Sequence, residues 1–176
     1  MLRSKRIVLK DGRIALVRRA RARDAEGVIA HVNEIAAERI YIMTDRLTMT
    51  VAEERAHLQK ADGRTGLYLV ATVRGRVVGT ADIWRGRFQK NRHVANLGIA
   101  IRKEARGVGL GRGMMAEMIA WARSAGVRKL TLGVFASNAP ALALYRQLGF
   151  APEGRLAGQV ILRGKPVDEL LMARRL

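Results

Sequence analysis

Residues 106–113 read Arg-Gly-Val-Gly-Leu-Gly-Arg-Gly, four glycines alternating with larger residues. The run separates an alternating apolar stretch from an amphipathic one, so it occupies the start of a helix. The first N–H groups of a helix have no partner inside it and carry the positive end of its dipole. Glycines in front of them let a phosphate approach the backbone, and Arg106 and Arg112 add guanidinium groups suited to phosphate oxygens. Gly111 and Gly113 fall within the first turns, where each costs about 1 kcal/mol relative to alanine. That cost implies close approach, either by a ligand or by a neighbouring element of the fold. Spacing excludes two nucleotide loops. No Gly-Lys-Ser/Thr is present, so there is no Walker loop. Alternating glycines also miss the G-x-G-x-x-G of dinucleotide sites. What remains is R-x-x-G-x-G, from Arg106 to Gly111.

The proton-handling types lie elsewhere. Tyr145, whose phenol ordinarily titrates at about 10, is suited to general acid work. His93 and Asp82 can accept protons, although a strand-end histidine and a strand aspartate are as often structural. The chain has no cysteine, which excludes disulfides, thiolate metal sites and cysteine nucleophiles.

Around these residues the patterning predicts a definite set of elements. Residues 14–17 suit a first strand. Asp24 can cap a helix over residues 25–40, whose apolar stripe runs through Val28, Ile29, Val32, Ile35 and Ile40. Thr50 and Glu53 form a capping box for a second helix ending near Lys60. Strands follow over residues 67–73 and 76–84, joined by Arg74-Gly75, and over residues 93–102. A helix spans residues 109–124, with Met114, Met115 and Met118 as core filling and Gly126 at its C′ position. A strand over residues 129–135 leads to a helix capped by Asn138, with Pro140 in its first turn and Gly149 after its end. Strands over residues 152–162 and 166–174 close the chain. The order β-α-α-β-β-β-α-β-α-β-β describes an α/β fold with one mixed, mostly antiparallel sheet flanked by helices. With 176 residues and no Pro- or Ser-rich linker, a single domain over 1–176 is expected.

The segment from Arg106 to Gly111, comprising Arg106, Gly107, Val108, Gly109, Leu110 and Gly111, resembles the pyrophosphate loop of the GNAT acetyltransferase superfamily. Its flanks are similar too. Asn96-Leu97-Gly98-Ile99-Ala100-Ile101 looks like the family's central strand, whose backbone pairs with the pantetheine arm as an added strand would. Val134-Phe135-Ala136-Ser137-Asn138, followed by Ala141, Leu144-Tyr145 and Leu148-Gly149-Phe150, resembles its second block. Residues 167–173 resemble its last strand. The resemblance implies acetyl-CoA as cosubstrate, held by Ile99, Ala100, Ile101, residues 106–112 and Asn138, with Tyr145 beside the sulfur. It implies direct attack of a primary amine on the thioester, with a strand N–H near Ile99 polarising the carbonyl and no metal. Many relatives carry a glutamate where this chain has Asn96, which cannot act as a base. His93, Asp82 or a water chain would then take the ammonium proton. Small molecules, amino acids and protein N-termini are all admitted as acceptors, and a homodimer is admitted as well.

The net charge of +18 opens a different reading, a basic RNA- or ribosome-binding module. Its densest feature is Arg18-Arg19-Ala20-Arg21-Ala22-Arg23. Arginines are otherwise spread along the chain, which suits a solvated surface with weak, non-specific polyanion binding. An acyl-CoA-binding sensor without acceptor chemistry is a third reading. No apolar run approaches the roughly 20 residues of a membrane span. The basic N-terminus also lacks the apolar core of a secretory signal, so a cytoplasmic location is expected.

Overall fold

The computed structural model describes residues 4–176; Met1, Leu2 and Arg3 of the basic N-terminus lie outside the described residues. The strands are β1 (Lys5–Val8), β2 (Ile14–Arg19), β3 (Gly66–Val73), β4 (Arg76–Arg85), β5 (Val94–Ile101), β6 (Lys129–Phe135), β7 (Ala151–Leu162) and β8 (Lys165–Arg175). The helices are α1 (Ala25–Ala36), α2 (Val51–Lys60), α3 (Leu110–Ser124) and α4 (Ala139–Gln147). All eight strands form one sheet in the order β1-β2-β3-β4-β5-β6-β8-β7. Every pairing is antiparallel except that of β5 with β6. Among the described residues, no helix is long and apolar enough to cross a membrane.

Strand alternation divides the core between the two faces of the sheet. Leu67, Leu69, Ala81, Ile83 and Leu97 face one way and pack with Met114, Met115 and Met118 of α3, all three fully buried. Tyr68 and Val70 face the other way, against Ala25 and Val28 of α1 and Leu58 of α2. Both faces of β3 and β4 are therefore covered, which explains their nearly continuous apolar sequence.

Sequence patterning missed β1. Four residues with two cations carry little periodic signal, yet Ile7 packs directly over Gly113 of α3. Helix α1 also stops at Ala36 rather than Ile40; Arg39 adopts a left-handed φ of 53° and the chain leaves in turns. The capping box of α2 forms as expected, with Thr50 Oγ1 accepting from the Glu53 N–H at 3.2 Å.

The expected cap of α1 does not form, because Asp24 has a stronger partner. Its carboxylate takes both guanidinium arms of Arg18 at 2.6 and 2.7 Å and the Arg21 N–H at 2.7 Å. Burial pushes its pKa up, but the bonds from Arg18 and Arg21 outweigh burial and hold it below the usual carboxylate range. A lowered folded-state pKa contributes stability above the unfolded value and loses it as pH falls through the folded one. Asp24→Asn is expected to cost about 1–3 kcal/mol in urea unfolding at neutral pH, since it leaves Arg18 half-buried without a counterion. The difference from wild type should shrink below about pH 4, where unpaired aspartates protonate.

Candidate active site

The glycine-rich loop is shaped for an anion. Gly107 and Gly109 adopt φ of 73° and 93°, a region that favours glycine. Gly109 occupies the N-cap of α3 with no side-chain cap, leaving the first N–H groups of the helix without a side-chain partner. Leu110 is fully buried and Val108 packs against the core, so these two offer only their backbone to a ligand. The Val108 carbonyl accepts from the Lys10 N–H at 3.0 Å, which fastens the loop to the β1–β2 turn. The glycines inside the helix serve packing. A Cβ on Gly111 would touch Leu144 and Ile101 at 3.1 and 3.2 Å, and one on Gly113 would run into Ile7.

Beyond the loop the sheet opens. The β5–β6 register runs Val94–Lys129, Ala95–Leu130 and Asn96–Thr131, then stops. β5 continues to Ile101 held by β4, and β6 continues to Phe135 held by β8. A cavity of about 930 Å³ fills the gap, lined by residues 97–101, by Gly133, Val134 and Phe135, and by the loop. Asn138 and Tyr145 of α4 form part of its wall. Asn138 also caps α4, its side-chain oxygen accepting from the Ala141 N–H at 3.3 Å. Tyr145 packs against Phe150 with ring centroids 5.9 Å apart, and burial pushes its pKa up to about 12. It is therefore protonated at any physiological pH.

On the α1/α2 face, Asp82 lies across from Tyr68 on β3 and Gly98 on β5, and all three line the cavity. Its Oδ2 accepts from the Trp84 indole N–H at 2.9 Å. Burial raises its pKa; the Trp84 bond and the nearby His57 only partly offset this. Glu54 on α2 is 2 % exposed, one of its carboxylate oxygens has no partner, and burial raises its pKa too. Burial, and then the charges of Asp82 and Glu54, push the Tyr68 phenol up. His31 of α1, also buried, donates from Nε2 to the Ala100 carbonyl at 3.2 Å and fixes α1 over β5. Burial takes its pKa down to about 4, so it stays neutral.

The cavity thus gathers Ile99, Ala100, Ile101, Arg106, Gly107, Gly109, Gly111, Arg112, Asn138, Tyr145 and Asp82. Both arginines are engaged: Arg112 donates to Gln147 at 2.5 Å, and the Arg106 guanidinium is paired with Glu38. Two of the residues singled out in the sequence lie elsewhere. The exposed Asn96 donates to Thr131, to its carbonyl at 3.3 Å and to its Oγ1 at 3.2 Å, where β5 and β6 still pair. His93 lines a separate depression with Arg128, Lys129 and Arg175. Sequence reasoning missed Lys10, Tyr68, Thr80 and Glu169, which also line the cavity. Strand alternation could have found Tyr68 and Thr80, because it puts them on the face of Asp82. The dense arginine run is partly consumed by the fold, since Arg18 pairs with Asp24 and Arg19 bonds to the Ala61 carbonyl.

A helix-start anion cradle opening into a gap between two strands with free edges suits a phosphate-bearing chain with amide groups along it, such as the coenzyme A arm that the resemblance of the loop implies. Comparison with known proteins agrees. Residues 37–150 match the family model described as Acetyltransferase (GNAT) family. The L-amino acid N-acetyltransferase AaaT of Escherichia coli (strain K12) is 31 % identical over 165 residues, covering 90 % of this chain and 96 % of the relative. A GNAT-family acetyltransferase structure from Streptococcus pneumoniae superposes with a TM-score of 0.87 at 30 % identity, covering 92 % of this chain and 99 % of that one. A phosphinothricin acetyltransferase from Sinorhizobium meliloti, in complex with AcCoA, gives 0.82 at 25 % identity over 92 % and 88 % of the two chains. The chain belongs to the GNAT acetyltransferase family, and is an N-acetyltransferase with acetyl-CoA as cosubstrate and an amine as acceptor.

Gly109→Ala should weaken acetyl-CoA binding about tenfold in calorimetry, because a side chain at its left-handed φ costs about 1–2 kcal/mol and the loop would move to relieve it.

Proposed function

We propose that the chain acetylates the α-amino group of an amino acid or of a protein N-terminus, with Asp82 as proton acceptor and Tyr145 as proton donor. The observation that carries this reading is the single cavity that holds the phosphate loop, the free edge of β5, Tyr145 and Asp82 together. The amino-acid substrates named for AaaT and for the phosphinothricin enzyme support an α-amine.

The loop N–H groups from residue 107 onward hold the pyrophosphate, and the free edge of β5 hydrogen-bonds the pantetheine arm. A β5 N–H near Ile99 donates to the thioester oxygen as negative charge develops on it. Asp82, anchored by Trp84, takes the proton from the incoming ammonium, so that a neutral amine attacks. The C–N bond forms, the C–S bond breaks, Tyr145 gives its proton to the leaving sulfur, and the second proton that the nitrogen loses restores the Tyr145 phenol. Its raised pKa suits a group that must enter the reaction protonated. Asn96 and His93 have no part in this scheme. The +18 charge supports weak, salt-sensitive adhesion to polyanions beside the activity. We place the activity in one domain over residues 1–176 in the cytoplasm.

The test is release of free thiol from acetyl-CoA over a panel of L-amino acids, phosphinothricin and N-terminal peptides. Thiol release with one α-amine class is expected, and no release with any amine would reject the reading. Tyr145→Phe should lower kcat by about 10²-fold, the lower end of what proton transfer contributes, with acetyl-CoA affinity nearly unchanged. Asp82 acts only when ionised, so kcat/KM should rise with pH through a value above the ordinary carboxylate range. Asp82→Asn should remove that limb of the profile.

A further inference from the structure

One ion pair ties the phosphate loop to the segment that follows α1 and has no role in the chemistry above. Glu38 lies just past α1, at the start of the connection that runs to α2. Its carboxylate accepts Nη1 and Nη2 of Arg106 at 2.8 and 2.5 Å. Arg106 Nε donates to the Ile101 carbonyl at 2.7 Å, and the Tyr41 ring centroid lies 4.3 Å from its Cζ. The guanidinium is therefore held at three places. Its backbone belongs to the phosphate loop, and its side chain belongs to the α1–α2 connection.

That connection has little structure of its own. Residues 37–50 form no strand and no regular helix. Asn33 grips them at Leu47, accepting from its N–H at 2.7 Å, and Arg106 grips them at Glu38 and Tyr41. Tyr41, Ile42 and Met43 line the cavity with Val32 and Ile35 of α1, the helix packed over the sheet face that carries Asp82. The wall facing the amine thus hangs from an arginine whose own place is set by the loop.

We propose that Glu38 and Arg106 are positioning residues that couple the two substrates: cosubstrate phosphate fixes the loop, the loop fixes Arg106, and Arg106 fixes the wall at residues 41–43 over the amine end. The coupling rests on the acetyl-CoA reading of the cavity. Gly107 and Gly109 give the free loop more backbone freedom than any other residue would, and a phosphate removes it. Order gained at one site then lowers the ordering cost at the other, and the coupling is reciprocal for binding. In the opposite scheme, phosphate takes Arg106 away from Glu38 and releases the wall. The Nε bond to Ile101 and the stack on Tyr41 oppose that scheme, because both hold the guanidinium beside the α1–α2 connection.

Backbone hydrogen exchange of the whole chain, with and without coenzyme A, tests this without knowing the amine. In wild type, coenzyme A should slow exchange across residues 37–50 by about tenfold, within the usual range of coupling between sites. Glu38→Gln removes the charge, and Arg106→Lys keeps it but loses the fork that binds a carboxylate twice. In both variants the slowing over 37–50 should fall below about twofold; in Glu38→Gln residues 107–113 remain protected and calorimetric affinity for coenzyme A stays within about threefold of wild type, or roughly 0.7 kcal/mol. Equal slowing in wild type and Glu38→Gln would overturn the coupling. So would faster exchange in wild type on adding coenzyme A, which is the signature of release. An affinity loss beyond about tenfold in Glu38→Gln would make the pair a support of the loop alone. Failure of wild type to bind coenzyme A in calorimetry would reject the cavity reading itself, before any exchange is measured.

Discussion

Everything in this site depends on two strands that begin paired and then part. β5 and β6 share three register positions and no more, although each runs on beside another partner. Backbone N–H and C=O groups exposed along a gap demand hydrogen-bonding partners. In the middle of a sheet that demand would be met by the neighbouring strand; here it is left for water or for a ligand with amides of its own. A pantetheine arm is such a ligand, and the phosphate cradle lies at the open end of the gap because β5 runs directly into the loop before α3. The opening is durable because β4 and β8 hold the outer edges of the two parted strands.

The sheet also separates two chemical environments by face. Tyr145 stands on the side of α3 and α4, and Asp82 on the side of α1 and α2. Burial raises the pKa of each, with opposite consequences for the proposed chemistry. It secures the proton on a phenol that must donate one. It brings a carboxylate closer to neutral pH, where it can both accept a proton and give it up. One physical cause thus yields an acid and a base, because the two groups start from opposite ends of the pH scale.

Much of this was legible in the sequence, for reasons that can be named. Period-2 alternation in β3, β4 and β5, the Thr50–Glu53 capping box, and glycines at positions of positive φ each carry a local signal. The loop was legible because its chemistry and its conformation need the same residue. What was hidden depends on distant contacts. β1 exists because Ile7 finds the hollow over Gly113, more than a hundred residues away. Asp24 reads as a helix cap until Arg18 is seen beside it. Asp82 and His93 were equal as candidate bases in the sequence, and they part only in the fold, where Asp82 lines the cavity and His93 a separate depression. The use of Arg106 was hidden for the same reason, since its partner Glu38 lies 68 positions earlier.

The bond from Lys10 to Val108 and the seat of Ile7 over Gly113 make the cofactor loop partly a product of the first hairpin. During synthesis that hairpin leaves the ribosome well before the loop does. It must wait as an exposed, half-apolar edge, with Val8 and Ile14 still facing solvent even in the finished fold. Competence to bind acetyl-CoA therefore depends on contacts between the start of the chain and its middle. A cosubstrate that binds only the finished loop stabilises the docking of that first hairpin as well.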